Sequence, residues 1–116
     1  MPKNAATRLH DALRACDELA SFTAGRVLDD YLQDVLLRRA VERTLEVVGE
    51  SIGQAIRIEP ELVDVNPDAL VIMGMRNRIA HGYDDLKDDV IWESATVGVP
   101  AITGVLRALL AERYGR

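Results

Sequence analysis

Residues 34–58, DVLLRRAVERTLEVVGESIGQAIRI, contain no proline and set Leu37, Val41, Leu45, Val48, Ile52 and Ile56 at three- and four-residue spacing. That period lays the apolar side chains along one face of a long amphipathic helix. Gly49 and Gly53 interrupt it four residues apart, and each costs roughly 1 kcal/mol against alanine in a helix interior. A tight helix crossing is the compensation the pattern predicts. Glu59-Pro60 then ends the helix, because the residue before proline avoids the α region and the ring cannot continue the hydrogen-bond ladder.

Upstream, Ala5, Leu9, Ala12, Leu13, Cys16, Leu19 and Ala20 form the stripe of a first helix over 4–20. After Gly25, residues 26–32 have room for about two turns, with Val27, Leu28 and Tyr31 on one side. Downstream, a loop runs to Val65, and Asn66-Pro67 has the form of a helix start, a capping side chain followed by a proline with no amide to satisfy. That helix carries Leu70, Ile72, Met73, Met75 and Ile79 and stops at Gly82. An acidic connection, DDLKDD, leads to a last helix marked by Val90, Ile91, Ala95, Val99, Ile102, Val105, Leu106, Leu109 and Leu110. Pro100 is predicted to kink that helix or split it in two. The fold class is therefore all-α, an up-and-down bundle of four main helices plus one short helix, in a single domain over 1–116.

Composition agrees and narrows the function. The 116 residues are 48% hydrophobic and 28% charged but only 4% aromatic, so the core is aliphatic. No membrane span is expected, and MPKNAATRLH lacks an apolar run behind its lysine, so no secretory signal is expected and the cytoplasm is the default compartment. One cysteine, Cys16, excludes an intramolecular disulfide, and two histidines, His10 and His81, are too few for a histidine-built metal centre. With 14 basic against 19 acidic residues the net charge is −5, so any polyanion must be held locally. Twelve of the basic residues are arginine, whose forked donors suit phosphate.

The densest chemistry is Arg76-Asn77-Arg78-Ile79-Ala80-His81-Gly82-Tyr83 at one helix end. Asn77 and His81 share a face, whereas Arg76 and His81 are separated by about 140° around the axis. Convergence requires the reach of Arg76, loosening of the last turn, or a second copy across a two-fold axis, which is the favoured reading. The plainer interpretation is that the arginines offset the helix dipole and Tyr83 packs on the bundle.

Arg, four residues, His, one residue, Tyr, preceded by Ile72-Met73-Gly74-Met75, resembles the signature of HEPN-domain toxins of the HepT type. RRAVERTLEVVGESIGQA at 38–55 is similar to their long middle helix, and DDVIWE at 88–93 to the start of their last one. The resemblance spans roughly 4–110 and implies a HEPN-like bundle acting as a metal-independent endoribonuclease toxin. It also implies a homodimer with both motifs at the cleft, no cofactor, and a minimal nucleotidyltransferase antitoxin that attaches AMP to the motif tyrosine. On this chain Arg76 and His81 match the catalytic pair, Asn77 the polar residue after the arginine, and Tyr83 the modified tyrosine. The chain departs from the family where Pro67 is followed by Asp68 rather than tryptophan.

The chemistry fits RNA, which carries its own 2′-hydroxyl nucleophile. An imidazole with ordinary pKa of about 6.5 serves as base and a guanidinium meets the developing charge. Asn77 either orients His81 or binds phosphate. Arg78, Arg39 and Arg43 are secondary RNA contacts, with Asp34, Glu42 and Glu46 at helical spacing to pair with Arg38, Arg39 and Arg43 instead. Cys16 reads as a core thiol, His10 as solvent-exposed, Trp92 as a core or interface anchor, and Asp84, Asp85, Asp88 and Asp89 as a solvated acidic loop. The rival function is a non-catalytic helical protein that binds a nucleotide or a nucleotidyltransferase.

Overall fold

A computed structural model describes residues 4–62 and 87–114, and every regular element among them is helical. α1 spans Ala5–Thr23, α2 Leu28–Gln33 and α3 Val35–Ile58. α4, Asp88–Glu93, passes through a π-helical turn, Ser94–Gly98, into α5, Val99–Leu109, and a second π turn, Leu110–Tyr114. Together these last four form one C-terminal helix. The helix predicted from Pro67 to Gly82, the loop to Val65, and Asp84 and Asp85 lie outside the described residues.

The helix ends follow from capping chemistry. Asn4 Oδ1 accepts from the Thr7 amide at 2.9 Å and opens α1. α1 runs one turn beyond its predicted end, to Thr23, whose hydroxyl donates to the Leu19 carbonyl at 2.9 Å. Gly25, at φ +71, then turns the chain through the left-handed region that glycine enters without a steric cost. Asp30 reaches back to accept from the Val27 amide at 2.8 Å, and Asp34 caps α3 by accepting from the Leu37 amide at 3.2 Å.

α1 and α3 form the principal helix pair. Ser21 and Phe22 near the end of α1 line a groove with Leu36, Leu37 and Ala40 near the start of α3, so the two helices run antiparallel. The C-terminal helix packs chiefly on α1, with its first turns against α2, and buries Ile91, Trp92, Ala95, Val99, Ile102, Leu106 and Leu110. Its direction is set at both ends. Arg38, near the start of α3, holds Asp88 at 3.0 Å, while Arg113 donates to Glu59 at 3.2 Å and Glu61 at 2.8 Å just past the end of α3. α3 and the C-terminal helix are therefore parallel. Gly49 and Gly53 are buried on α3, in keeping with small residues where packing is close.

Two expectations for the last helix change. Pro100 does not split it. The π turn accommodates the proline: the Val99 amide reaches back five residues to the Ser94 carbonyl, and Pro100 falls in the first turn of α5, where a missing amide is tolerated. Val90 does not join the core but is 45% exposed. The helix over Asp88–Arg113 is also long and apolar enough to cross a membrane by length and composition, because Ser94–Leu106 carries no charged residue. One of its faces is committed to the core. On the opposite side, a Cβ added at Gly98 or Gly104 would meet nothing within 4 Å. Each glycine costs about 1 kcal/mol in a helix interior without serving a close contact among the described residues.

Two substitutions probe this frame by urea unfolding. Leu45→Ala, at a side chain 1% exposed, should cost about 2–5 kcal/mol through the cavity it leaves. Asp34→Ala should cost about 1 kcal/mol through loss of the α3 cap. Equal effects from the two would contradict the packing described.

Candidate functional site

Arg76, Asn77, Arg78, His81 and Tyr83 lie outside the described residues. The structure defines the frame that flanks them. At one end Leu62 is buried, with Glu59 and Glu61 bound to Arg113. At the other, Lys87 precedes α4 and Asp88 is held by Arg38. Arg38 and Glu59 are separated by most of α3, roughly 30 Å at 1.5 Å per residue. The stretch carrying the motif thus joins opposite ends of the long helix.

The anchor at the Asp88 end is a compact aromatic and charged cluster. Tyr31, from α2, is fully buried, and its ring lies 5.4 Å from that of Trp92, tilted by 35°. The Arg38 guanidinium sits 4.9 Å from the Tyr31 ring centroid while holding Asp88, so one cation joins α2, α3 and α4. The bond to Asp88 holds the Arg38 pKa above its ordinary value. Burial, followed by the nearby Glu42 carboxylate, pushes the Tyr31 phenol far above its usual 10.0, against the opposing pull of Arg38. The Tyr31 hydroxyl is buried and makes no hydrogen bond of good geometry, although the Glu42 carboxylate lies near enough to favour the protonated phenol.

These contacts revise the reading of the arginines. Arg39 pairs with Glu42 at 3.5 Å and Arg43 with Glu46 at 3.6 Å, as helical spacing predicts. Arg38 instead takes Asp88, fifty residues away. Asp34, besides capping α3, lies 3.7 Å from Arg26. Asp88 accordingly leaves the expected solvated acidic loop and becomes a structural anion in the first turn of α4. Local spacing misses this pair because its partner arrives from another element. Arg39 and Arg43 are 77% and 70% exposed, one helical turn apart, and their long surface pairs contribute little. Both guanidiniums retain donors for phosphate.

The other candidates fall as follows. Trp92 is a core anchor and His10 is exposed. Cys16 is buried, and burial raises its thiol pKa above 9.0 against a lowering hydrogen bond with Thr103. Among the described residues no group of three or more His, Cys, Asp or Glu is placed to hold a metal ion.

The family described as "Ribonuclease HepT-like" matches residues 12–109, a span that contains the arginine–histidine–tyrosine string. Among curated relatives, "Putative RNase MJ1216" of Methanocaldococcus jannaschii is 25% identical over 110 residues, covering 93% of this chain and 88% of the relative. "Putative RNase TTE0752" of Caldanaerobacter subterraneus subsp. tengcongensis is 28% identical over 102 residues, covering 88% and 90%. "Probable ribonuclease HepT" of Thermococcus cleftensis is 25% identical over 103 residues, covering 87% and 91%. No solved structure matches the chain.

The cluster carries a pH signature. A proton held more tightly by the folded chain than by the unfolded one stabilises the fold below the unfolded pKa, and that contribution is lost as pH rises beyond it. The chain should therefore lose stability above about pH 10, and Tyr31→Phe should remove the Tyr31 part of that loss at little cost near neutrality. Parallel urea melts of the two proteins at neutral pH and above pH 10 check this. Identical pH dependence in both would place the Tyr31 phenol in an ordinary, solvated environment.

Proposed function

We propose, from the premise that this chain belongs to the HepT-like ribonuclease family, that it is a metal-independent endoribonuclease and the toxin of a HEPN/minimal nucleotidyltransferase pair. The observation that carries the reading is the family match across 12–109, which takes in Arg76, His81 and Tyr83 together. In this reading 1–116 is a single HEPN-like domain working in the cytoplasm. The parallel course of α3 and the C-terminal helix supports an up-and-down bundle, since a fourth helix over 67–82 would return the chain along α3 between them.

His81 takes the proton of the RNA 2′-hydroxyl as its oxygen bonds to phosphorus. The bond from phosphorus to the 5′-oxygen breaks, and that proton passes to the leaving oxygen. Arg76 donates to the phosphate oxygens as charge accumulates, and Asn77 orients the imidazole or holds the phosphate. Arg78, Arg39 and Arg43 guide the strand locally against the net charge of −5. A helix over this stretch would set Arg76 and His81 about 140° apart, which favours a composite site formed by both motifs of a homodimer over the reach of Arg76 or a loosened last turn. AMP attached to Tyr83 by the cognate nucleotidyltransferase places an anionic phosphate and an adenosine beside Arg76 and His81, blocking RNA electrostatically and sterically.

Purified chain should cleave RNA in the presence of a chelator, and His81→Ala and Arg76→Ala should each abolish cleavage while helical content is retained. Cleavage that persists in both variants places the chemistry elsewhere. A folded wild-type protein that binds the nucleotidyltransferase yet cuts no RNA supports the rival, a non-catalytic partner protein.

Incubation with the cognate nucleotidyltransferase and ATP should add adenylyl mass at Tyr83, and Tyr83→Phe should escape both modification and silencing. Peptide mass spectrometry decides this, and an unmodified Tyr83 beside an active partner enzyme refutes the control mechanism.

A further inference from the structure

Arg38 has carboxylates at helical spacing close by, Asp34 four residues before it and Glu42 four residues after, yet its Nη2 bonds Asp88, fifty residues away, at 3.0 Å. A second contact holds the guanidinium in that direction. It lies 4.9 Å from the centroid of the buried Tyr31 ring, which is in turn 5.4 Å from the Trp92 ring on α4. The ion pair is a poor source of stability, because the Arg38 and Asp88 side chains are 28% and 40% exposed and solvent screens a pair so placed. What it supplies is a fixed point, since Asp88 is the first residue of α4.

We propose that Arg38 is a positioning residue for RNA cleavage, holding through Asp88 the chain that carries His81 and Tyr83; this rests on the endoribonuclease reading above. The covalent chain sets the reach of the anchor. Tyr83 and His81 precede Asp88 by five and seven residues, so at about 3.6 Å per extended residue their Cα atoms stand within about 18 Å and 25 Å of it. From Leu62, on the other side, His81 is nineteen residues away, a tether of up to about 68 Å. The Arg38 end therefore restricts the imidazole far more closely than the Arg113 end does. A base must stand within hydrogen-bond reach of the proton it takes, and a displacement of about 1 Å costs up to about a hundredfold in rate. In this role Arg38 itself touches no reacting atom; its stem and charge are spent on Tyr31 and Asp88.

Two other roles for Arg38 would behave differently. As an RNA contact beside Arg39 and Arg43 it would act on binding. As a brace of the bundle it would act as Arg113 does, whose bonds to Glu59 and Glu61 hold the far end of the C-terminal helix. A positioning role acts on kcat and leaves KM in place.

Arg38→Met tests it, removing the charge while keeping an apolar stem over Tyr31. With a fluorophore-tagged single-stranded RNA that the wild type cuts, kcat should fall about tenfold to a hundredfold while KM changes less than about twofold. Asp88→Asn, at a side chain 40% exposed, should do the same and stands in for Arg38→Met if that variant does not fold. The double variant should lose no more than either single one, because both remove one interaction. Arg113→Met should keep kcat within about twofold of the wild type. The chain has two histidines, and His10 is exposed on α1, so nitrogen NMR of the imidazoles reads His81 without RNA, with His10 as internal reference. In Arg38→Met and Asp88→Asn the His81 signals should shift or broaden while those of His10 stay. Unchanged His81 signals in both variants overturn the proposal. So do a raised KM at constant kcat, which makes Arg38 an RNA contact, and an equal loss of kcat in Arg113→Met, which makes it a brace. A wild type that cuts no RNA overturns the endoribonuclease reading instead, and the His81 signals then still decide whether Arg38 positions the motif.

Discussion

The parallel alignment of α3 with the C-terminal helix is the constraint on which the other features rest. Two arginines hold it: Arg38 on Asp88 at one end and Arg113 on Glu59 and Glu61 at the other. Two parallel helices cannot be joined by a tight turn, so whatever links them must cover the length of α3. The stretch containing Arg76, His81 and Tyr83 is that link. A position in the chain that would otherwise be a simple connection is thereby tied at both ends to the rigid part of the molecule.

The two anchors differ in kind. Arg113 bridges its carboxylates at the surface, where solvent screens the pair. Arg38 is mostly covered and lies over Tyr31, which in turn stacks near Trp92. In a chain with one tryptophan, one phenylalanine and three tyrosines, two of the five aromatics gather at the Asp88 end. This end also carries the exposed Arg39 and Arg43, so fixed aromatic packing and available positive charge occur on successive residues of the same helix.

The C-terminal helix shows the opposite economy. Its inner face is packed with large aliphatic side chains, while its outer face keeps glycine, alanine and proline over several turns without a charge. The π turn at Ser94–Gly98 lets the backbone continue through Pro100, so the uncharged face remains one continuous surface rather than two short ones.

Sequence by itself determined the local structure. Asn4, Asp34, Gly25 and Glu59-Pro60 mark helix ends through capping, backbone freedom and the missing proline amide, which depend on neighbours within a few residues. The periodic stripes of α1 and α3, the core roles of Cys16 and Trp92, and the Arg39–Glu42 and Arg43–Glu46 pairs were legible for the same reason. The arginine–histidine–tyrosine string was legible as a motif because its spacing is written in the chain, whereas its three-dimensional arrangement lies outside the described residues. Tertiary structure alone decided what distant segments do to one another. It gave Arg38 an ion pair with Asp88 rather than with Asp34 or Glu42, turned part of an acidic run into an anchor, and left Val90 outside the core. It also absorbed Pro100 into a continuous helix through a π turn. Such outcomes depend on which helix packs against which, and spacing along one helix does not encode the identity of the element across from it.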